Sequence, residues 1–263
     1  MPQVVLSAPA ARLGLQNHEL LIKPLTMYQN KLLLSALLGA TLLLGACEKE
    51  KPCDGNTTRT YTETGFSRIV AGSAIHLNIT KGQTFSISAQ GCNRDIDDLR
   101  LQMKPGNTLE FDFERNRIQR DVVEIDITLP QLSSVVLSGA AEGEIKGFEN
   151  NAANLRMVLS GGSKARVEGT SIQTQFDLSG ASRLWIKGQT NNLFGTLSGG
   201  SELQAAETTA IEVDISASGG AQATVHVSDM LFAEATRGAR IRYKGNPGTK
   251  EIVTSGGGQV EAY

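Results

Sequence analysis

Residues 160–182 read SGGSKARVEGTSIQTQFDLSGAS: a Ser-Gly pair with small neighbours, an alternating stretch, then the same corner theme again. The theme recurs as SGAA from Ser138-Gly139, SGGS from Ser160-Gly161, SGAS from Ser179-Gly180 and SGGS from Ser198-Gly199. SGGA from Ser218-Gly219, a degenerate RGAR containing Gly238, and SGGG from Ser255-Gly256 complete the series. First positions lie 22, 19, 19, 20, 19 and 18 residues apart. Self-similarity at this period marks a solenoid, in which each unit buries its apolar face only against its neighbours. No unit carries a unique set of reactive groups, so the repeat speaks for architecture and against an ordinary enzyme pocket.

The residues around the corners identify the units as strands. Leu155, Met157 and Leu159 alternate with Arg156 and Val158 before Ser160; after it, Ala165 and Val167 resume the alternation. Leu184 and Ile186, Leu203 and Ala205, Ala223, Val225 and Val227, and Ile241 and Tyr243 follow in the same way. Period two with one apolar face is a half-buried strand. A shorter apolar contribution is expected between units at Ile172, Leu193, Ile211 and Leu231. The prediction is an all-β parallel β-helix of two or three short strands per coil, the coils stacked about 4.8 Å apart. Glycine supplies positive φ at the corners, where stacking leaves room only for small side chains. The corner serines would hydrogen-bond along the column or to turn amides. None of the Gly-rich corners is followed by Lys-Ser/Thr and a helical pattern, as phosphate cradling by a P-loop requires.

Residues 65–130 read as a less regular beginning of the same body, strand and turn throughout, with no helical period. The runs GFSRIVAGSAIHLNITKGQ (65–83) and LRLQMKPGNTLEFDF (99–113), followed by the repeated LSG-small units, resemble the GIN-domain family. That family is described as an adhesin head domain of autotransporter type, common in Bacteroidetes. The resemblance covers residues 65–263 and implies a right-handed β-helix. It carries over no catalytic residues. Adhesion, where fold and surface location are its only support, is an analogy.

The N-terminus points to export. Residues 27–46, MYQNKLLLSALLGATLLLGA, hold Lys31, a leucine-rich run too short to span a membrane, and small residues before Cys47. Leu44-Gly45-Ala46-Cys47 resembles a bacterial lipobox, which implies cleavage before Cys47 and membrane attachment through lipid on it; the alternatives are a transmembrane anchor or simple secretion. Residues 1–26 read as a leader extension or a mis-called start. Residues 47–64 are polar and read as a flexible tether, and the localisation expected is the outer membrane, on either face. Cys53 and Cys92 are then a disulfide pair or two free thiols. Without CxxC spacing they are poor evidence for zinc.

The chain gives no cofactor motif. Asp126, Asp177 and Asp214 alternate with core residues and are scattered, whereas glycoside hydrolysis needs two carboxylates facing one cleft. His76 and His226 lie on polar phases with no nucleophile pattern beside them. Trp185 points outward by phase, to stack on a sugar or to pack against a neighbouring loop. With 25 basic and 27 acidic residues and a pI near 6.0, there is no nucleic-acid footprint. The expectation is a lipid-anchored envelope β-helix that presents a binding face to a glycan or envelope protein. The alternatives are a carbohydrate-active enzyme, marked by two carboxylates in one groove, and an assembly protein that self-associates through its terminal coil. For the last, Gln259–Tyr263 ends in mid-alternation with no polar cap.

Overall fold

The computed structural model describes residues 52–117, 119–148 and 154–263. The expectations for residues 1–26, the leader 27–46 and Cys47 lie outside the described residues. From Ser134 onward the chain climbs in parallel tiers, each a strand, a tight corner and a second strand. β8 (Ser134–Leu137) and β9 (Glu142–Phe148) form the first repeat tier, and β10 (Leu155–Leu159) begins the next. β11 (Lys164–Leu178), β12 (Arg183–Leu197), β13 (Glu202–Ser218) and β14 (Gln222–Thr236) are long bent strands of 15 or 17 residues. The first half of each lies in the post-corner stack and its second half in the pre-corner stack of the next tier. β15 (Arg240–Lys244), β16 (Thr249–Ser255) and β17 (Gln259–Ala262) finish the rod. The two or three short strands per coil expected from sequence are thus one continuous bent strand. Bends such as Gly169 and Gly188 (φ 158° and 137°) let the ladder turn without breaking.

Inward columns form the core. Leu137, Leu159, Leu178 and Leu197 stack behind the corners and give way to Ala217 and Ala235. Ala165, Leu184, Leu203, Ala223 and Ile241 stack in front. Each large aliphatic member contributes roughly 2 kcal/mol by leaving water. Of the four apolar residues expected between units, Leu193 and Leu231 are buried, but Ile172 and Ile211 are 44% and 47% exposed. The ladder explains this: Thr174, Leu193, Val213 and Leu231 are register partners. Ile172 and Ile211 each precede that column by two residues, on the outside of the bend.

Below Ser134 the tiers leave chain order. β2 (Arg68–Ala71) and β3 (Ile75–Lys81) form a tier directly under β8 and β9. β6 (Thr108–Phe113) and β7 (Val123–Leu129), later in sequence, pair in parallel beneath β2 and β3. Antiparallel strands extend this end: β4 (Ser86–Cys92) on β7, β1 (Asn56–Tyr61) on β4, and β5 (Leu99–Lys104) on β6. Between β4 and β5 a short helix, α1 (Asn93–Asp98), buries Ile96 in the core cluster. The sequence reading expects no helix here; six residues are too few to show a 3.6 period. It also expects a tether over 47–64, yet β1 is part of the sheet. An edge strand carries polar residues to discourage further pairing, so its composition hides it.

At the other end β16 is exposed along its whole length. Lys250 and Thr254 stand in register with the core residues Leu231 and Ala235. Between them Ile252, in register with the core residue Ala233, is 42% exposed, so this tier mixes polar and apolar groups at core-facing positions.

Candidate functional site

The corners are structural. Gly139, Gly161, Gly180, Gly199 and Gly219 all have φ between 64° and 74°. A Cβ on Gly180 would lie 2.7 Å from the Gly161 carbonyl oxygen, and one on Gly199 2.9 Å from that of Gly180. Backbone bonds run up the column: the N–H groups of Gly162, Ala181 and Gly200 donate to Gly139, Gly161 and Gly180 at 2.6, 2.7 and 2.8 Å. The leading Ser138 and Ser179 are exposed, and Ser160 half-exposed. The leading Ser198, also exposed, donates to the Leu178 carbonyl at 3.4 Å, and serines in the fourth position bond inward as well. Ser163, Ser182 and Ser201 are buried and donate to the carbonyls of Leu137, Leu159 and Leu178 at 3.2–3.4 Å. The sequence signal for them was present, as a polar residue one step before each post-corner strand.

Departures from this regularity are the places to look for function. The first is the capped end. Asp95 and Asp98 of α1 are buried. Arg120 lies 3.0 Å from Asp95 and 3.6 Å from Asp98, Arg117 donates to Asp98 at 2.6 Å, and Arg115 is 3.3 Å away. The Arg120 guanidinium also stacks 3.7 Å over the Phe113 ring. Burial pushes the Asp98 carboxyl up, but Arg117, Arg115 and Arg120 outweigh it and hold the group below its ordinary range. These charges answer each other and fasten Arg115, Arg117 and Arg120 to the helix. Nearby, Cys53 and Cys92 are joined as a disulfide with Cα atoms 5.7 Å apart.

The second departure is on the outer wall of the post-corner stack. Parallel register and period two set nine outward side chains in a grid. Its columns are Lys164–Arg183–Glu202, Arg166–Trp185–Gln204 and Glu168–Lys187–Glu207. Between Trp185 and Lys187 the ladder to β13 slips, so that Ile186 faces both Ala205 and Ala206. On the other side Ala205 and Thr209 are in register with Val225 and His226, leaving 206–208 out of the ladder. The result is a β-bulge beside a groove of about 410 Å³ lined by Arg166, Trp185, Gln204, Ala206 and Glu207 among others. The extra residue is the one that lengthens the Ser198–Ser218 interval to 20 between intervals of 19.

Within the grid Trp185 is half-buried, with the Arg166 guanidinium 4.8 Å from its ring centre. Gln204 donates to Glu202 at 2.7 Å, Arg183 lies 3.3 Å from Glu202, and Lys187 lies 3.8 Å from Glu207. The groove thus gathers Glu168, Glu202 and Glu207, more carboxylates than a scattered surface would. Asp126 accepts from Asn78 and Asp177 from Arg156, both away from this groove. His226 has the Thr209 hydroxyl at 3.5 Å; burial, then Lys244, keep its imidazole below its ordinary value and so neutral at pH 7.

Comparison with known proteins gives a consistent picture. The family described as "Putative auto-transporter adhesin, head GIN domain" matches residues 65–247. Similar solved structures include a "putative adhesin" from Bacteroides fragilis, 20% identical with a TM-score of 0.67, covering 81% of this chain and 99% of that one. A "putative adhesin" from Parabacteroides distasonis is 17% identical with a TM-score of 0.60, over 80% and 98% of the two chains. A "Putative lipid binding protein" from the same organism is 15% identical with a TM-score of 0.58, over 80% and 97%. At these identities the likeness carries the fold alone. No curated protein matches the chain.

Proposed function

The chain belongs to the family described as "Putative auto-transporter adhesin, head GIN domain", and we propose that it works as a non-enzymatic adhesive module of the cell envelope. In this reading lipid on Cys47 holds the protein at the outer membrane, and the post-corner wall faces its ligand. Leu44-Gly45-Ala46-Cys47 and the leucine-rich run before it support the anchor. Among the described residues no helix is long and apolar enough to cross a membrane. The observation that carries the reading is the outer wall itself: a ladder of outward side chains that slips between β12 and β13 beside the one tryptophan, where a groove opens.

A carbohydrate-active enzyme is the second reading, favoured by three carboxylates on one groove. Glu168 and Glu207 flank Lys187 two tiers apart, about 10 Å along the stack. A general acid needs a carboxyl kept protonated by an apolar setting. Here Glu202 pairs with Arg183, and Glu207, 74% exposed, lies beside Lys187. Binding is therefore the better use of these groups.

Glycan-array and envelope pull-down experiments with the Cys47→Ser chain test adhesion; enrichment of a sugar or an envelope protein is expected, and none from either assay refutes it. Labelling with a palmitate analogue tests the anchor, with incorporation expected in the native chain and lost in Cys47→Ser.

A further inference from the structure

We propose that the bulge groove seats one pyranose ring of a neutral glycan, stacked on Trp185 with its hydroxyls on Gln204, Glu202 and Glu207. This inference rests on the adhesive reading and names the ligand class for it.

The groove is built by one inserted residue. Residues 164–168 of β11 pair one for one with 183–187 of β12, whereas β13 sets six residues, 202–207, against those five, with Ala206 in excess. The wall opens beside the tryptophan and not elsewhere in that pair of ladders. The indole is prepared for stacking: Arg166 sits over its ring at 4.8 Å, which fixes the side chain before any ligand arrives and reduces the ordering cost of binding. An indole offers a flat apolar surface to the C–H face of a sugar ring and has little rotamer entropy to lose.

The polar groups around it select the ligand. Carboxylates only accept hydrogen bonds, and Gln204 both donates and accepts. A ring with adjacent hydroxyls can donate two bonds to a carboxylate such as Glu207 and exchange bonds with Gln204. The charged groups lining the groove are Arg166 and Lys187 against Glu168, Glu202 and Glu207, two positive and three negative. With Arg183 also on Glu202 and Lys187 beside Glu207, the carboxylates are answered by cations and little net charge is left, so a neutral polyol is the fitting class. A groove of about 410 Å³ lies within the roughly 300–1,000 Å³ of small-molecule sites. Because it is open, further rings of an oligosaccharide can extend from it into solvent.

Trp185 is the only tryptophan in the chain, so tryptophan emission reports this groove and nothing else. The full-length chain is titrated with maltotetraose, cellotetraose and mannotetraose, and with tetragalacturonate as the acidic control. A saturable emission change is expected with at least one neutral oligosaccharide and none with the acid. By calorimetry Gln204→Ala weakens binding about tenfold. Deletion of Ala206, which restores the 19-residue spacing and closes the bulge, abolishes it, with circular dichroism checking that the fold persists. No response to any neutral probe, or equal binding by the Ala206 deletion, overturns the proposal. If such a chain still captures an envelope protein, the groove assignment fails while adhesion stands. Release of reducing ends from a bound probe would leave the groove standing and overturn the non-enzymatic reading.

Discussion

The two ends of the rod solve the same problem by opposite means. From Ser134 upward, each tier is held by its neighbours through equivalent ladders, glycine corners and inward serines, so no single contact is special. Below it, the closing end is held by contacts that occur once: α1 over the core, the Asp95 and Asp98 network, the Cys53–Cys92 link and three antiparallel strands. A stack whose units stabilise only one another needs a distinct piece where the stacking stops. That piece cannot repeat, so its stability is concentrated in a few residues.

The contrast can be broken at its unique links first. The Cys53–Cys92 disulfide closes a 39-residue separation, worth about 4 kcal/mol in chain entropy. The Cys53→Ser, Cys92→Ser chain should lose up to that amount in denaturant melts. Hydrogen exchange should rise over β1, β4 and α1 while the tiers above Ser134 stay protected. A uniform rise along the rod would show that the two ends are one cooperative unit.

On the repetitive side, a Cβ at Gly188 would fall 1.8 Å from the Gly169 carbonyl oxygen, at φ 137°. Gly188→Ala should therefore cost about 3 kcal/mol. Gly200, whose Cβ would meet nothing closer than 3.7 Å, is the control; Gly200→Ala should shift stability by less than about 0.5 kcal/mol. Equal effects would mean that close tier contact is not what the glycines serve.

The smallest of the expected losses, the Gly200 control apart, returns to the cap. Asp98→Asn removes charge from three arginine contacts and should cost about 2 kcal/mol at neutral pH. The Asp98 carboxyl is held below its ordinary value in the folded chain, so its contribution is present above the unfolded value and is lost as pH falls through the folded one. The melting difference between the two chains should be constant near neutrality and shrink under acid conditions. A difference that grows on acidification would remove the ion network from the account.

How much was legible in the sequence follows from the same contrast. The corners were plain because Ser138-Gly139 and its successors repeat a local constraint at a fixed spacing. The inward serines went unassigned because Ser160 and Ser163 look alike until the corner geometry turns one out and one in. Ile172 and Ile211 were placed inside by apolarity alone; only the register shows that Thr174 holds the column position. The closing end was opaque for a different reason. β6 beneath β2 and β1 against β4 are pairings between distant segments, and no period marks them. The groove at Trp185 was visible only as one interval of 20, a signal that gains meaning once the ladder is seen to slip there.

The placement of β6 and β7 beneath β2 and β3 also constrains how the molecule is born. A polypeptide emerging amino end first presents 68–81 before either flanking layer exists, since its lower neighbours arrive at 108–129 and its upper ones after 134. Growth cannot proceed like a zipper from the leading end. The earliest layer must wait, exposed on both edges, until some fifty further residues have been delivered, which is the interval in which a growing chain most needs an escort.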